Sequence, residues 1–129
     1  VYIYGFENEF LQVIMNIFDN AKDEFEKKEI KEKYIFVDIQ QSDNFVKISI
    51  KDNAGGIEEK ILNKIFEPYF TTKFKSQGTG IGLYMSKEII EKHMRGDISA
   101  FNEEFLFEEN FYKGALFEIS FILEEEKTN

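Results

Sequence analysis

Between residues 7 and 27, Phe10, Leu11, Ile14, Ile17, Phe18, Ala21 and Phe25 recur at three- and four-residue spacing. That spacing predicts one long amphipathic helix with a single apolar face and Asn8 as its N-cap. A helix of this kind must bury its stripe against another apolar layer, which constrains everything that follows. The next two segments, YIFVDIQ (34–40) and FVKISIK (45–51), are rich in β-branched and aromatic residues. Gln41, Ser42, Asp43 and Asn44 separate them, so they read as an antiparallel hairpin. Residues 58–66 predict a short helix, stopped because Pro68 disfavours a helical Glu67. Residues 69–79 are polar and irregular, and the lack of an apolar period predicts a mobile loop. A second long helix is expected over 80–94, with Met85/Ile89 and Ile90/Met94 as apolar pairs. Residues 97–102 and 115–123 read as the final strands, 103–109 as an acidic stretch between them, and 124–129 as a solvated acidic tail. The order predicts an α+β fold, a two-layer sandwich of a mixed, mainly antiparallel sheet with helices on one face.

The 129 residues fit one domain spanning 1–129, and 43% hydrophobic residues supply one core. A net charge of −9 argues against nucleic acid or an anionic membrane surface as the main partner. With no cysteine and one histidine, disulfides, thiolate metal sites, cysteine nucleophiles and multi-histidine metal centres are excluded. No apolar run reaches the length of a membrane span, and no signal peptide is expected. The chain opens at Val1, which reads as a domain excised from something longer.

Three constellations carry chemistry. Asn16 and Asn20 lie four residues apart on one helix face among apolar neighbours. Amide oxygens can ligate Mg²⁺ and amide hydrogens can bind phosphate, whereas a plainer role is a buried amide capping a loop. Asp52-Asn53-Ala54-Gly55-Gly56-Ile57 follows a strand directly. Its aspartate can accept from an exocyclic amine and its glycines let a flat ring approach the backbone, although Asp, Asn and Gly also make ordinary turns. Gly78-Thr79-Gly80-Ile81-Gly82-Leu83 opens the second long helix, where exposed amides favour phosphate; the plainer reading is a helix-capping glycine cluster. Thr71 to Gly82 holds Lys73 and Lys75 and no acid, a basic patch in an acidic chain. The pattern is neither a Walker loop nor a dinucleotide fingerprint, because no Gly-Lys-Ser/Thr follows and the spacing is GxGxG.

In this order the three constellations resemble the catalytic, ATP-binding domain of two-component sensor histidine kinases, within the superfamily shared with DNA gyrase, Hsp90 and MutL. The N box matches Asn16-Ile17-Phe18-Asp19-Asn20-Ala21, the first glycine box Asp52 to Ile57, and the second glycine box Gly78 to Leu83. The F box matches Ile65 to Lys73, and a weaker last glycine motif matches Gly114-Ala115-Leu116-Phe117. The resemblance implies ATP and Mg²⁺ as cofactors, with Asn20 as metal ligand and Asn16 close to the same phosphates. It implies Asp52 as acceptor for the adenine amino group, with Gly56 and Ile57 along the ring. It further implies that 66–79 is the ATP lid, tethered by Phe66 and Phe70. Phosphate would be cradled by Gly78, Gly80 and Gly82, with Thr79, Ile81 and Leu83 in the same box, and Lys73 beside Thr72 is a candidate phosphate contact. Three positions depart from the pattern. Asp23 and Glu24 stand where a lysine and an aromatic are common, leaving Lys22 or Phe25 as substitutes; Ala54 replaces a glycine; Leu116 replaces a threonine.

The superfamily's ATPases and serine kinases typically carry a glutamate base at position 16, where this chain has Asn16, and an amide takes up no proton at neutral pH. Neutral histidine is already nucleophilic, so the resemblance implies transfer of the γ-phosphoryl group to a histidine. That histidine would lie on a helical dimerisation domain absent from this chain, with a response regulator downstream and a cytoplasmic location. His93 reads as a helix-end histidine facing the negative end of the dipole, not as the acceptor. The alternatives are a degenerate nucleotide-binding interaction module and an Hsp90-like ATPase.

Overall fold

The computed structural model describes residues 7–70 and 82–123. Helix α1 (Glu7–Lys27) is followed by strands β1 (Ile35–Gln41) and β2 (Phe45–Asp52), then a short α2 (Glu59–Leu62). Helix α3 (Gly82–Glu88) runs into a π-helical turn at Ile89–His93, and strands β3 (Asp97–Phe107) and β4 (Asn110–Ile122) close the described chain. The strands form one sheet in the order β1-β2-β4-β3, each neighbouring pair antiparallel. This is the α+β arrangement expected from the sequence, a sheet with helices on one face.

The strand period explains the layering. Val46, Ile48 and Ile50 on β2 register with Phe121, Ile119 and Phe117 on β4, and Ile119 in turn with Ile98 on β3. These inward residues are buried together with Val13 and Ile17 of α1 and Ile89 and Ile90 of the second helical segment. Ile17, Ile90, Ile119 and Phe117 are each at most 2% exposed, so the two helices and the sheet meet at the centre of one core. Leu11, assigned to the apolar face by its spacing, is 59% exposed and lies outside that core. On the other face of the sheet, the β3–β4 hairpin reaches across to β1. Phe36 stacks edge-on against Phe105 and Phe107, with centroids 5.5 and 4.8 Å apart, and Lys51 Nζ lies 4.1 Å from the Phe105 ring centroid.

Several sequence expectations need correction. The helix over 58–66 is α-helical only at Glu59–Leu62. Beyond it Lys64, Glu67 and Phe70 each donate to the carbonyl three residues back, so three-residue turns replace the four-residue helical pattern on either side of Pro68. The acidic stretch 103–109 is not a separate connection, because Asp97–Phe107 is one continuous strand and β4 begins at Asn110 rather than 115. Phe105 and Phe107 supply the alternation that the intervening glutamates obscure, and the turn is made by Glu108 and Glu109, both at positive φ (48° and 67°). The second long helix ends in a wide turn, with Met94 N–H bonded to the Ile89 carbonyl at 2.9 Å. Asn8 lies inside α1, which already includes Glu7, and so is not its N-cap. The acidic tail at 124–129 lies outside the described residues.

β4 crosses the end of β2 so closely that Gly114 cannot carry a side chain. A Cβ there would sit 1.5 Å from the Asp52 carbonyl oxygen. Gly114→Ala is therefore expected to destabilise the domain by about 3 kcal/mol or to prevent folding, because overpacking at backbone leaves nothing free to move. Gly82→Ala is the control, since a Cβ there meets Asn16 only at ordinary contact distance, 3.7 Å. Urea unfolding of both variants gives the comparison, and equal midpoints would contradict the close approach.

Candidate nucleotide site

β2 ends at Asp52, which is 5% exposed. Its Oδ1 accepts from Ala54 N–H at 2.9 Å and from Ala115 N–H at 3.1 Å, so one carboxylate oxygen is held both by the loop after β2 and by β4. No described residue donates to Oδ2. Every fully buried side-chain polar atom among the described residues has a partner, so Oδ2 is open to solvent or to a ligand. Burial pushes the Asp52 carboxyl above its usual range, and the amides of Ala54 and Ala115 and the nearby Lys28 pull the other way.

The loop after Asp52 is held on all sides. Gly55 and Gly56 lie at φ 90° and 84°, a conformation that side chains resist. Gly55 N–H donates to the Lys113 carbonyl at 2.9 Å. Lys28, beyond the end of α1, donates through Nζ to the carbonyls of Ala54 (2.7 Å) and Gly56 (2.9 Å) and pairs with Glu24 at 3.1 Å. Asn102 of β3 bonds both backbone groups of Ile57. Ala54, the departure from glycine, is buried and has no positive φ, so its methyl is accommodated against Ala21 and Phe25.

On α1, Asn16 faces α3. Its Nδ2 donates to the Gly82 carbonyl and to Ser86 Oγ, each at 3.0 Å, and its Oδ1 accepts from Gln12 at 2.8 Å. Ser86 is fully buried and bonds back to the Gly82 carbonyl at 2.9 Å, so the start of α3 is fixed to the asparagine face of α1. Asn20, one turn on, has no hydrogen bond to a described residue and is half-buried, so its amide is available. Phe66 packs on the core with its ring perpendicular to Phe117, and Phe70 is partly buried on the same cluster. Leu83 also packs there. Thr72, Lys73, Gly78, Thr79, Gly80 and Ile81, and with them most of the expected lid, lie outside the described residues.

Of the two substitutes suggested for Asp23 and Glu24, Phe25 does not serve. Phe25 is 5% exposed and lies under Ala54, where it cannot stack on a base, and Lys22 is exposed. The position after the last glycine that meets Asp52 is Ala115. Leu116 points to the opposite face of the sheet, because strand side chains alternate. His93 bonds Glu9 on α1 at 2.7 Å rather than only facing a helix end. Lys28, Ser86 and Asn102 were not singled out from the sequence. Asn102 carried the one legible sign, a polar residue in phase with Ile98 and Ala100 on an inward strand face.

A family profile described as histidine kinase-, DNA gyrase B- and HSP90-like ATPase matches residues 5–125. The chain belongs to this ATPase family. It is 38% identical over 93 residues to sporulation kinase A of Bacillus subtilis, covering 72% of this chain and 14% of that protein. It is 32% identical over 107 residues to the two-component sensor PprA of Pseudomonas aeruginosa, covering 78% of this chain and 11% of that protein. The chain thus spans a small part of these relatives. Among solved structures, the nucleotide-free catalytic domain of the histidine kinase ThkA superposes with a TM-score of 0.68 at 28% identity, over 88% of this chain and 67% of that one. Among the described residues no helix is long and apolar enough to cross a membrane.

The raised Asp52 carboxyl has a sign that can be checked. The folded chain holds this proton more tightly than the unfolded chain, so the group's contribution to stability is complete below the ordinary aspartate pKa and is lost as pH rises through the raised value. An asparagine side chain at this position would keep an acceptor for Ala54 and Ala115 without a buried charge. Asp52→Asn is therefore expected to equal the wild type near pH 3 and to become increasingly more stable than it toward about pH 7. Denaturant titrations across that window should show the gap opening, and a constant gap would contradict it.

Proposed function

We propose that this domain binds Mg-ATP and donates the γ-phosphoryl group to a histidine on a separate helical dimerisation domain, as the kinase part of a two-component sensor working in the cytoplasm, with a response regulator downstream. The observation that carries the reading is Asp52. One of its oxygens is fixed by two amides, and the other has no donor among the described residues. Beside two left-handed glycines, such a carboxylate suits an exocyclic amine on a flat ring. The relatives' names and the family support ATP as the nucleotide.

The residues fit the metal as well as the base. Asn20 offers an amide oxygen, a hard donor of the kind Mg²⁺ takes alongside phosphates and waters. When bound, Mg²⁺ neutralises charge on the triphosphate. This chain's own part is to hold the base at Asp52, to orient the phosphates between the asparagine face of α1 and the start of α3, and to supply Lys73 as a further phosphate contact. In the transfer a histidine nitrogen forms a bond to the γ-phosphorus, the bond to the bridging oxygen breaks, ADP leaves, and the imidazole N–H proton is released to solvent. Asn16 has its amide nitrogen committed to Gly82 and Ser86 and cannot act as a base, which favours transfer to histidine over an Hsp90-like hydrolysis.

Asp52→Asn, more stable when empty, should bind ATP more weakly by roughly 1–3 kcal/mol, because the added amide faces the amino group as a donor. Asn20→Ala should lose the tightening that magnesium gives. Calorimetry with and without magnesium reads both, and full magnesium enhancement in Asn20→Ala would move the metal role to another residue. With radiolabelled ATP the chain alone should stay unlabelled, and acid-labile, base-stable label should appear when the dimerisation domain is joined to it. Label on the lone chain that disappears in His93→Ala would overturn the proposal.

A further inference from the structure

The loop that leaves β2 has lost its strand neighbours, yet Ile57 still finds a partner for both backbone groups. The carboxamide of Asn102 accepts from Ile57 N–H through Oδ1 at 2.7 Å and donates through Nδ2 to the Ile57 carbonyl at 2.6 Å. One side chain thus reproduces the paired donor and acceptor that a neighbouring strand would offer. The same Nδ2 reaches Glu59 Oε1 at 3.1 Å, at the first turn of α2. The loop lies tight against this side chain, since a Cβ on Gly56 would be 2.7 Å from Asn102 Oδ1.

We infer that Asn102 is a positioning residue for nucleotide binding, one that presets the Gly56–Ile57 wall against which the base would lie. The inference rests on the ATP reading above. Gly55 and Gly56, at φ 90° and 84°, are conformationally free residues, so this loop keeps one shape only where its surroundings hold it. Lys28 holds the carbonyls of Ala54 and Gly56, and Lys113 holds the Gly55 amide; the Ile57 side chain packs on the core, but among the described residues only Asn102 hydrogen-bonds its backbone. Without it the wall must be ordered by the ligand, and that ordering reduces affinity. Asn102 touches the loop and not the phosphate side, where Asn16 meets Gly82 and Ser86. Its effect is therefore confined to ligands that carry a base.

The test is calorimetry on the chain with Mg-ATP and with magnesium tripolyphosphate, a probe that has the phosphates and no base. Asn102→Ala is expected to weaken ATP about tenfold, as for loss of a pair of net hydrogen bonds, and to leave tripolyphosphate within about twofold. Asn102→Asp keeps the size and the acceptor but cannot donate to Ile57, and is expected to show the same selective loss. Hydrogen exchange at the Ile57 amide should accelerate in Asn102→Ala. Unchanged ATP affinity, a parallel loss of tripolyphosphate, or failure of both variants to fold would overturn the inference. If the wild type binds tripolyphosphate but not ATP, it is the adenine reading of Asp52 that fails.

Discussion

The contact on which the site depends is the meeting of β4 with the end of β2. Gly114 lets the two backbones close to a distance no side chain permits, and this brings the Ala115 amide to Asp52 Oδ1. The same carboxylate oxygen caps the Ala54 amide where the chain turns out of the sheet. One oxygen atom thus joins the sheet to the loop. The orientation of the second oxygen, and with it any recognition of a base, is a by-product of how the first is held.

That arrangement opposes stability to function. A buried carboxylate is costly when nothing neutralises it, and here the compensation comes from amides and from Lys28 some distance off. An asparagine at the same place would make a quieter core and a poorer receptor for an amine. Gly55 and Gly56 take positive φ without the steric cost a side chain would bring, and bonds from three directions hold the loop in that shape. The residues that take positive φ despite a side chain, Glu29, Tyr69, Arg95, Glu108 and Glu109, lie outside this loop.

How much of this was legible follows from what each signal encodes. Apolar period reveals which face is inside, so the helix over 7–27 and the hairpin at 35–41 and 45–52 were readable to within a residue. The run 103–109 was missed because glutamate masks an alternating strand and because the turn uses Glu108 and Glu109 in place of Asn-Gly. Asp52, Gly55 and Gly56 stood out by residue type, and Asn16 by an amide placed in an apolar helix face. Lys28 and Asn102 could not stand out, because a lysine near a helix end and an asparagine in a strand acquire meaning only when distant segments meet. The off-by-one at Leu116 has the same origin, since a motif aligned by type does not say which strand face a residue takes until the register is known.

The wide turn at Ile89–His93 is where the second helix ends, with Arg95 at φ 57° and Gly96 N–H bonded to the Ile90 carbonyl at 2.7 Å just beyond it. Within it Ile89 and Ile90 are both buried in the core, and His93 meets Glu9. Because the helix stops here, the phase of α3, set where Gly82 and Ser86 meet Asn16, does not run on into β3. The chain carries, in effect, a joint between the asparagine-facing end of this segment and its sheet-facing end.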